Sequence, residues 1–312
     1  MGIPDIRIVC VLGTGNMGPG ISVLFALAGC RVFLWAHSDR GLEKGAADAK
    51  RNLEEMAAHG VVDSQAAQAA RERIEITTDL ARAAGDADFI SESVREDLQL
   101  KRELYATVEA LCPERAIIAS NTSTLLPTLL QEGMRRPERL VVAHFWNPAH
   151  LVPLVEVCGG AGTSPEAVDA TMRLLERAGK TPVRMRKEVL GFLGNRLMHA
   201  MYREACALVA RGVAEAGDID RVVLSSFGPR FANLGPMEYL DFVGLDLIKS
   251  VQHYLYGDLD RTPGIMPLVE RLNAEGALGM KTGRGLFDWK DRTADDIRRR
   301  RDMEFYRRMG PG

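Results

Sequence analysis

Three polar clusters, each set at or within an apolar run, carry side chains from which this chain could assemble chemistry. Ser120-Asn121-Thr122-Ser123 follows AIIA, His144-Phe145-Trp146-Asn147-Pro148 follows RLVVA, and Glu156 interrupts LVPLVEV. Alcohol oxidation by hydride transfer needs a base for the hydroxyl proton, a group that holds the base in one tautomer, and donors for the oxygen. The three clusters offer residue types for each of those needs. A fourth cluster, Gly13-Thr14-Gly15-Asn16-Met17-Gly18, stands between the apolar IRIVCVL and the helical pattern ISVLFALAG. Gly13 permits a tight turn, Gly15 lets a pyrophosphate approach the backbone, and Gly18 lets helix and strand pack closely. Asn16 and Met17 fall where the helix begins, and its free N–H groups and positive dipole end favour phosphate. This placement between strand and helix makes dinucleotide binding the expectation.

The elements that must position these clusters are legible in the hydrophobic rhythm. IRIVCVLG, CRVFLWAH, ADFISESV, AIIASNTS, RLVVAHFWN, LVPLVEVCG and TPVRMR read as buried strands, separated by helices such as Asp97 to Leu111 and Ser164 to Lys180. In such open α/β sheets ligands bind at the carboxyl ends of the strands, so the polar clusters should converge there. After about Glu188 the strand signal ends, and Phe192 to Val213, Pro236 to Tyr256 and Pro267 to Ala277 carry helical spacing. The expected architecture is therefore an α/β Rossmann-type doubly wound domain over residues 1–188, followed by an all-α domain over residues 189–312. The Arg-, Asp- and Glu-rich tail from Asp291 to Arg308 reads as a solvated surface helix. At the close of the second strand an acid should bond the ribose 2′-OH of NAD, but the text is Trp35-Ala36-His37-Ser38-Asp39-Arg40. Ser38 and Arg40 suit a 2′-phosphate and Asp39 suits the hydroxyls, so NAD is expected and NADP stays open.

Composition narrows the function classes. The 312 residues carry 40 basic and 42 acidic side chains, a formal charge of -2, which gives no field for gathering nucleic acid or an anionic membrane. Five widely spaced cysteines imply reduced thiols rather than a disulfide framework, and no run is long and apolar enough to span a bilayer. A cytoplasmic enzyme with a small-molecule substrate is expected. No HxxxH or CxxC spacing calls for a metal. Ser123 has a second reading as the N-cap of a helix starting near Leu125, and Asn195 as a cap or an interhelical bond.

VLGTGNMGPGI, SESVREDLQLKRELY, SNTSTL, HFWNP with VEV beyond it, GFLGNRL and GMKTGRGLFDW together resemble the 3-hydroxyacyl-CoA dehydrogenase family over nearly the whole chain. That family includes relatives acting on L-gulonate and carnitine, and a lens crystallin. The resemblance implies that His144 is the base and Glu156 its carboxylate partner. It implies too that Ser123 and Asn195 hold substrate oxygens, that Glu96 and Lys101 line the cofactor side, and that the protein is a homodimer. The reaction implied is NAD-dependent oxidation of a 3-hydroxyacyl-CoA in fatty acid metabolism. The alternatives are a dehydrogenase of a small hydroxy acid or alcohol, or a non-catalytic crystallin-like protein. In the acyl-CoA members a lysine-rich stretch after the second strand meets CoA phosphates, whereas Leu53 to Asp63 here has no Lys, leaving Lys44, Lys50 and Arg51 just upstream. Arg95, where those enzymes more often have an apolar residue, suits a substrate carboxylate.

Overall fold

The computed structural model describes residues 5–310. The chain forms two compact units, residues 1–193 together with 299–312, and residues 194–298. The first unit runs β1 (Ile8–Leu12), α1 (Gly18–Leu27), β2 (Arg31–Trp35), α2 (Asp39–Ala58), α3 (Ser64–Arg73), β3 (Ile74–Thr77), α4 (Leu80–Ala84) and β4 (Phe89–Glu92). It continues with α5 (Leu98–Leu111), β5 (Ile117–Ser120), α6 (Pro127–Leu130), β6 (Leu140–Phe145), β7 (Leu154–Gly159), α7 (Pro165–Arg177) and β8 (Thr181–Arg184). The sheet order is β3-β2-β1-β4-β5-β6-β7-β8. The chain thus winds outward one way from β1 and then the other way from β4, which puts a crevice at the β1/β4 boundary.

Seven of these strands coincide with the anticipated apolar runs. β3 was not anticipated, because IEIT follows a polar helix, is only half buried and sits at the edge of the sheet. The sheet is also not uniformly parallel: β7 runs antiparallel to β6, and β8 parallel to β7. A loop of eight residues, 146–153, joins β6 to β7 and is too short for a crossover helix, so the chain must turn back beside the strand it leaves. Both faces of the central strands are apolar. Val9, Val11, Val32, Leu34, Phe89, Ile117 and Val141 face α1, α2 and α7, while Cys10, Leu12, Ile90, Ile118 and Val142 pack against Tyr105 and Val108 of α5. This two-sided burial produces near-continuous hydrophobic strands.

The second unit contains α8 (Gly194–Ala210), α9 (Ala216–Ser225), α10 (Phe227–Phe231), α11 (Pro236–Val243), α12 (Leu245–Leu255), α13 (Pro267–Ala274) and the start of α14 (Ala294–Met309). The single helical segment expected from Pro236 to Tyr256 is two helices, broken at Gly244, whose φ of 101° no helix accommodates. The boundary anticipated at residue 188 lies at 193, and residues 299–312 return to the first unit. The tail is therefore not simply a solvated helix. Tyr306 is buried, stacks on His59 with ring centroids 4.2 Å apart, and directs its hydroxyl to Glu55 of α2 at 3.3 Å.

Candidate active site

The cofactor cradle forms at the β1/β4 crevice. Gly13 has φ 110° and donates its N–H to the carbonyl of Trp35, and a Cβ there would lie 2.7 Å from the carbonyl oxygen of Ser93 just past β4. A Cβ on Gly18, the first residue of α1, would fall 1.8 Å from the carbonyl oxygen of Gly13. At Gly15, in contrast, a Cβ would meet nothing within 4 Å. Gly13 and Gly18 are thus demanded by the fold, while the space beside Gly15 is open to a ligand. Asn16 is exposed and Met17 is the N-cap of α1 with no side-chain bond to the helix end, so the first N–H groups of α1 remain suited to a pyrophosphate. The Ser38 hydroxyl caps α2 by accepting the Gly41 N–H, and Arg40 is exposed in the first turn of that helix.

The antiparallel return of β7 brings His144 and Glu156 together. His144 and Glu156 are register partners in the β6–β7 ladder, so their side chains leave the same face of the sheet side by side. Glu156 Oε2 lies 2.8 Å from His144 Nδ1. The carboxylate holds that nitrogen as the N–H tautomer and leaves Nε2 as the position that can receive a proton. Glu156 is itself pinned, accepting from the Trp146 indole at 3.2 Å and from the Leu193 N–H at 2.7 Å. Only 4% of His144 and 1% of Glu156 is accessible, with the Phe192 ring centroid 5.2 Å from the imidazole. Phe192 has φ 49°, a left-handed conformation that costs a non-glycine residue about 1–2 kcal/mol. Next to Gly191 at φ 76°, it turns the chain after β8 so that ring and backbone both meet the pair. Trp146, Phe192 and Leu193 were not singled out from the sequence, although they lie inside the HFWNP and GFLGNRL motifs; a backbone N–H donor carries no signal in residue type.

Ser123 stands exposed in the turn after β5. It does not cap a helix: the Thr122 hydroxyl accepts the Thr124 and Leu125 N–H groups within the turn, and the helix begins only at Pro127, with Leu126 at its N-cap and no side-chain cap bond. Glu96 organises that turn. Its Oε1 accepts the Thr122 hydroxyl at 2.5 Å, the Ser123 and Thr124 N–H groups at 3.0 Å each, and the Thr124 hydroxyl at 3.1 Å. Burial opposes its ionisation, but the Thr122 hydrogen bond, the Lys101 charge and the two backbone donors prevail and hold the carboxyl below its ordinary value. Lys101, which the resemblance sets on the cofactor side, lies behind Glu96. It has no accessible area, and its ammonium lies 2.7 Å from Glu92 and 3.4 Å from Glu96. The Asn121 carbonyl accepts the Phe145 N–H at 2.9 Å and its amide reaches Ser93 Oγ at 3.3 Å, so it staples the ends of three strands beside the crevice. Asn195 lies in the first turn of α8, in the second unit. Among the described residues no group of three or more His, Cys, Asp or Glu side chains could hold a metal, and no helix is long and apolar enough to cross a membrane.

Comparison with known proteins agrees with this geometry. Residues 8–189 match the family model described as 3-hydroxyacyl-CoA dehydrogenase, NAD binding domain, and residues 191–289 match its C-terminal domain. The chain is 34% identical over 282 residues to 5-formyl-3-hydroxy-2-methylpyridine 4-carboxylate 5-dehydrogenase of Mesorhizobium japonicum, covering 90% of each chain. A solved structure of an enzyme of that name, described as an NAD+ dependent dismutase, superposes with a TM-score of 0.88 at 31% identity over 97% of both chains. Probable 3-hydroxybutyryl-CoA dehydrogenase of Bacillus subtilis is 34% identical over 93% of this chain and 100% of its own. L-carnitine dehydrogenase of Streptomyces griseus is 39% identical over 75% of this chain and 68% of its own. With both halves of the chain matched in order, and the glycine cradle in the crevice where the nucleotide belongs, the protein belongs to the 3-hydroxyacyl-CoA dehydrogenase family and is an NAD-dependent dehydrogenase acting on a hydroxyl group.

Proposed function

We propose that the enzyme oxidises the secondary alcohol of a compact, carboxylate-bearing hydroxy acid rather than a CoA ester. His144 Nε2 takes the hydroxyl proton as the carbon gives up its hydrogen with the bonding pair, and the C–O bond becomes a carbonyl. Bound NAD supplies the acceptor for that hydride. Glu156 stabilises the imidazolium that forms, and the family resemblance gives Ser123 and Asn195 the part of holding substrate oxygens. Gly13, Gly15, Asn16, Met17 and Gly18 receive the pyrophosphate, Ser38 and Arg40 flank the ribose, and Glu96 orders the turn beside the nicotinamide.

The observation that carries the substrate reading is the state of the cations. Lys44, Lys50 and Arg51, the nearest candidates for CoA phosphates, are all answered by acids of their own helix: Lys44 by Asp48 at 2.5 Å, Lys50 by Glu54 at 3.6 Å and Arg51 by Asp48 at 2.7 Å. Arg95, exposed beside Glu96 at the carboxyl end of β4, pairs with no acid among the described residues. A guanidinium there suits a bidentate carboxylate. The pyridine carboxylate and carnitine named for two relatives are free acids rather than CoA esters, which supports the carboxylate part of the reading.

The test is a panel of L-carnitine, 3-hydroxybutyrate and, in the reverse direction, acetoacetyl-CoA, followed by reduced-nicotinamide absorbance with NAD and with NADP. Arg95→Met should raise KM about tenfold or more for the best free acid, because the substrate's charge is left unpaired, while Lys50→Ala stays silent. Fastest turnover of acetoacetyl-CoA with a Lys50 effect would restore the CoA ester. The proposal extends to a cytoplasmic homodimer joined through the helical unit. Its free cysteines suit a reducing compartment, and α9, α11 and α12 expose Val222, Leu224, Phe242 and Tyr254.

A further inference from the structure

We propose that Glu92, a residue no motif assigned to the site, is a positioning residue for the oxidation, acting through Lys101 and Glu96 on the turn that presents Ser123. The inference rests on the part given to Ser123 under the proposed function.

Glu92 is the last residue of β4 and has no accessible surface. A carboxylate buried at the end of an apolar strand is costly unless its lone pairs are filled, and here they are. Oε1 accepts the Val94 N–H at 2.8 Å and the Lys101 ammonium at 2.7 Å, and Oε2 accepts Lys101 at 2.9 Å, the Tyr105 hydroxyl at 2.6 Å and the Ser120 hydroxyl at 2.7 Å. Ser120 is the register partner of Glu92 at the end of β5, so the carboxylate ties together the two strand ends from which the cofactor-side loops leave. Burial, followed by the charge of Glu92 and its hydrogen bond, drives the Tyr105 hydroxyl well above its ordinary value, which keeps it a donor.

Lys101 then carries the arrangement outward. Its ammonium spans from Glu92 to Glu96, giving an alternating series of negative, positive and negative groups from the sheet interior to the 122–124 turn. Glu96 makes four hydrogen bonds to that turn through Oε1 alone, while Oε2 faces Lys101. If Glu92 loses its charge, the buried ammonium has Glu96 as its one remaining counter-ion among the described residues and draws that carboxylate inward. The turn then loses its organising acceptor, and Ser123 moves with it. Packing in the core could not do this, because a neutral side chain of the same size fills the space but leaves the ammonium unbalanced.

The experiment is a double-mutant cycle on kcat/KM with Glu92→Gln and Ser123→Ala, using the member of the substrate panel that turns over fastest, with NADH binding followed by fluorescence. Each single variant should lower kcat/KM by about tenfold or more, and the double variant should be no worse than Ser123→Ala, since the same contact cannot be lost twice. NADH affinity should stay within about threefold throughout. Tyr105→Phe removes a neutral donor from the same carboxylate and should leave kcat/KM within about threefold. If Glu92→Gln does not fold, Glu92→Asp replaces it in the cycle with the same expectation, since the shorter carboxylate draws back from Lys101 and leaves Glu96 the nearer counter-ion. Multiplicative losses, a Glu92 variant at the wild-type kcat/KM, a silent Ser123→Ala, or a Tyr105→Phe loss as large as that of Glu92→Gln would each overturn the inference. A His144→Ala enzyme with normal turnover would instead overturn the proposed chemistry, so the two failures are separable.

Discussion

At the scale of single residues, the proposed catalytic pair, His144 and Glu156, is a polar island against the rings of Trp146 and Phe192. Glu156 collects an imidazole, an indole and a backbone N–H, and with 1% of its surface accessible it has no water to compete for those donors. The imidazole is thereby held in one tautomer before substrate arrives, which is what a positioned base requires. His144→Ala should lower turnover by about 10²–10⁴ while leaving NADH affinity unchanged, because the cradle around Gly13 to Gly18 does not involve the ring. Steady-state kinetics and a fluorescence titration on the same preparation check both halves. Near-native turnover would remove His144 from the mechanism.

At the scale of elements, the strand ends and the turns after them are where fold and function separate. Gly13 and Gly18 touch backbone so closely that a side chain at either must displace β1, β4 or α1, whereas Gly15 faces open space. Gly15→Ala should therefore leave the melting temperature within about 2 °C of wild type, the effect of a few tenths of a kcal/mol at a surface position. The added methyl group would still occupy the ground needed by a pyrophosphate, so NADH affinity should fall by about tenfold or more. A Gly15→Ala enzyme with unchanged affinity would show that the cradle does not seat the cofactor. Much of this was legible from residue types, since the three glycines, the seven strands other than β3 and the helices capped by Asp97 and Ser164 follow from local pattern. β3 was not, because a short, half-buried edge strand has neither the alternation nor the continuous apolarity that marks a strand.

At the scale of the whole molecule, the chain leaves the nucleotide-binding unit at residue 193 and returns to it at residue 299. The family's C-terminal match ends at residue 289, so α14 lies beyond it, yet Tyr306 of that helix is 5% accessible and sits among residues of the first unit's core. Tyr306→Ala should destabilise that unit by about 3 kcal/mol, the cost of emptying a buried aromatic site. For a unit of this size the corresponding loss in melting temperature is roughly 6–12 °C, read by calorimetry. A shift below about 2 °C would mean that the tail contributes no binding energy. The second unit has the opposite character, with Phe242 at 79% and Tyr254 at 81% accessible, which is more exposed aromatic surface than a monomer ordinarily tolerates. Light scattering at micromolar concentration should give twice the 34.3 kDa chain mass. A stable species at the single-chain mass would refute the homodimer.

The amino-acid sequence by itself determined the class of the protein: a glycine fingerprint between strand and helix, polar clusters at strand ends, and a change from strand to helical periodicity near residue 190. These features are local, set by backbone sterics and by the spacing of apolar side chains, and so they can be read in order along the chain. Only the tertiary structure decided what depends on residues distant in sequence arriving at the same place. The antiparallel return of β7 sets Glu156 beside His144, since parallel and antiparallel neighbours have the same residue pattern but different register. The meeting of β4, β5 and α5 makes Lys101 the buried counter-ion of Glu92. The return of α14 converts a run of charges into a helix anchored by one buried tyrosine. In each case the deciding quantity is which charge or ring is desolvated and by what neighbour, and that is a property of the packed molecule rather than of any segment.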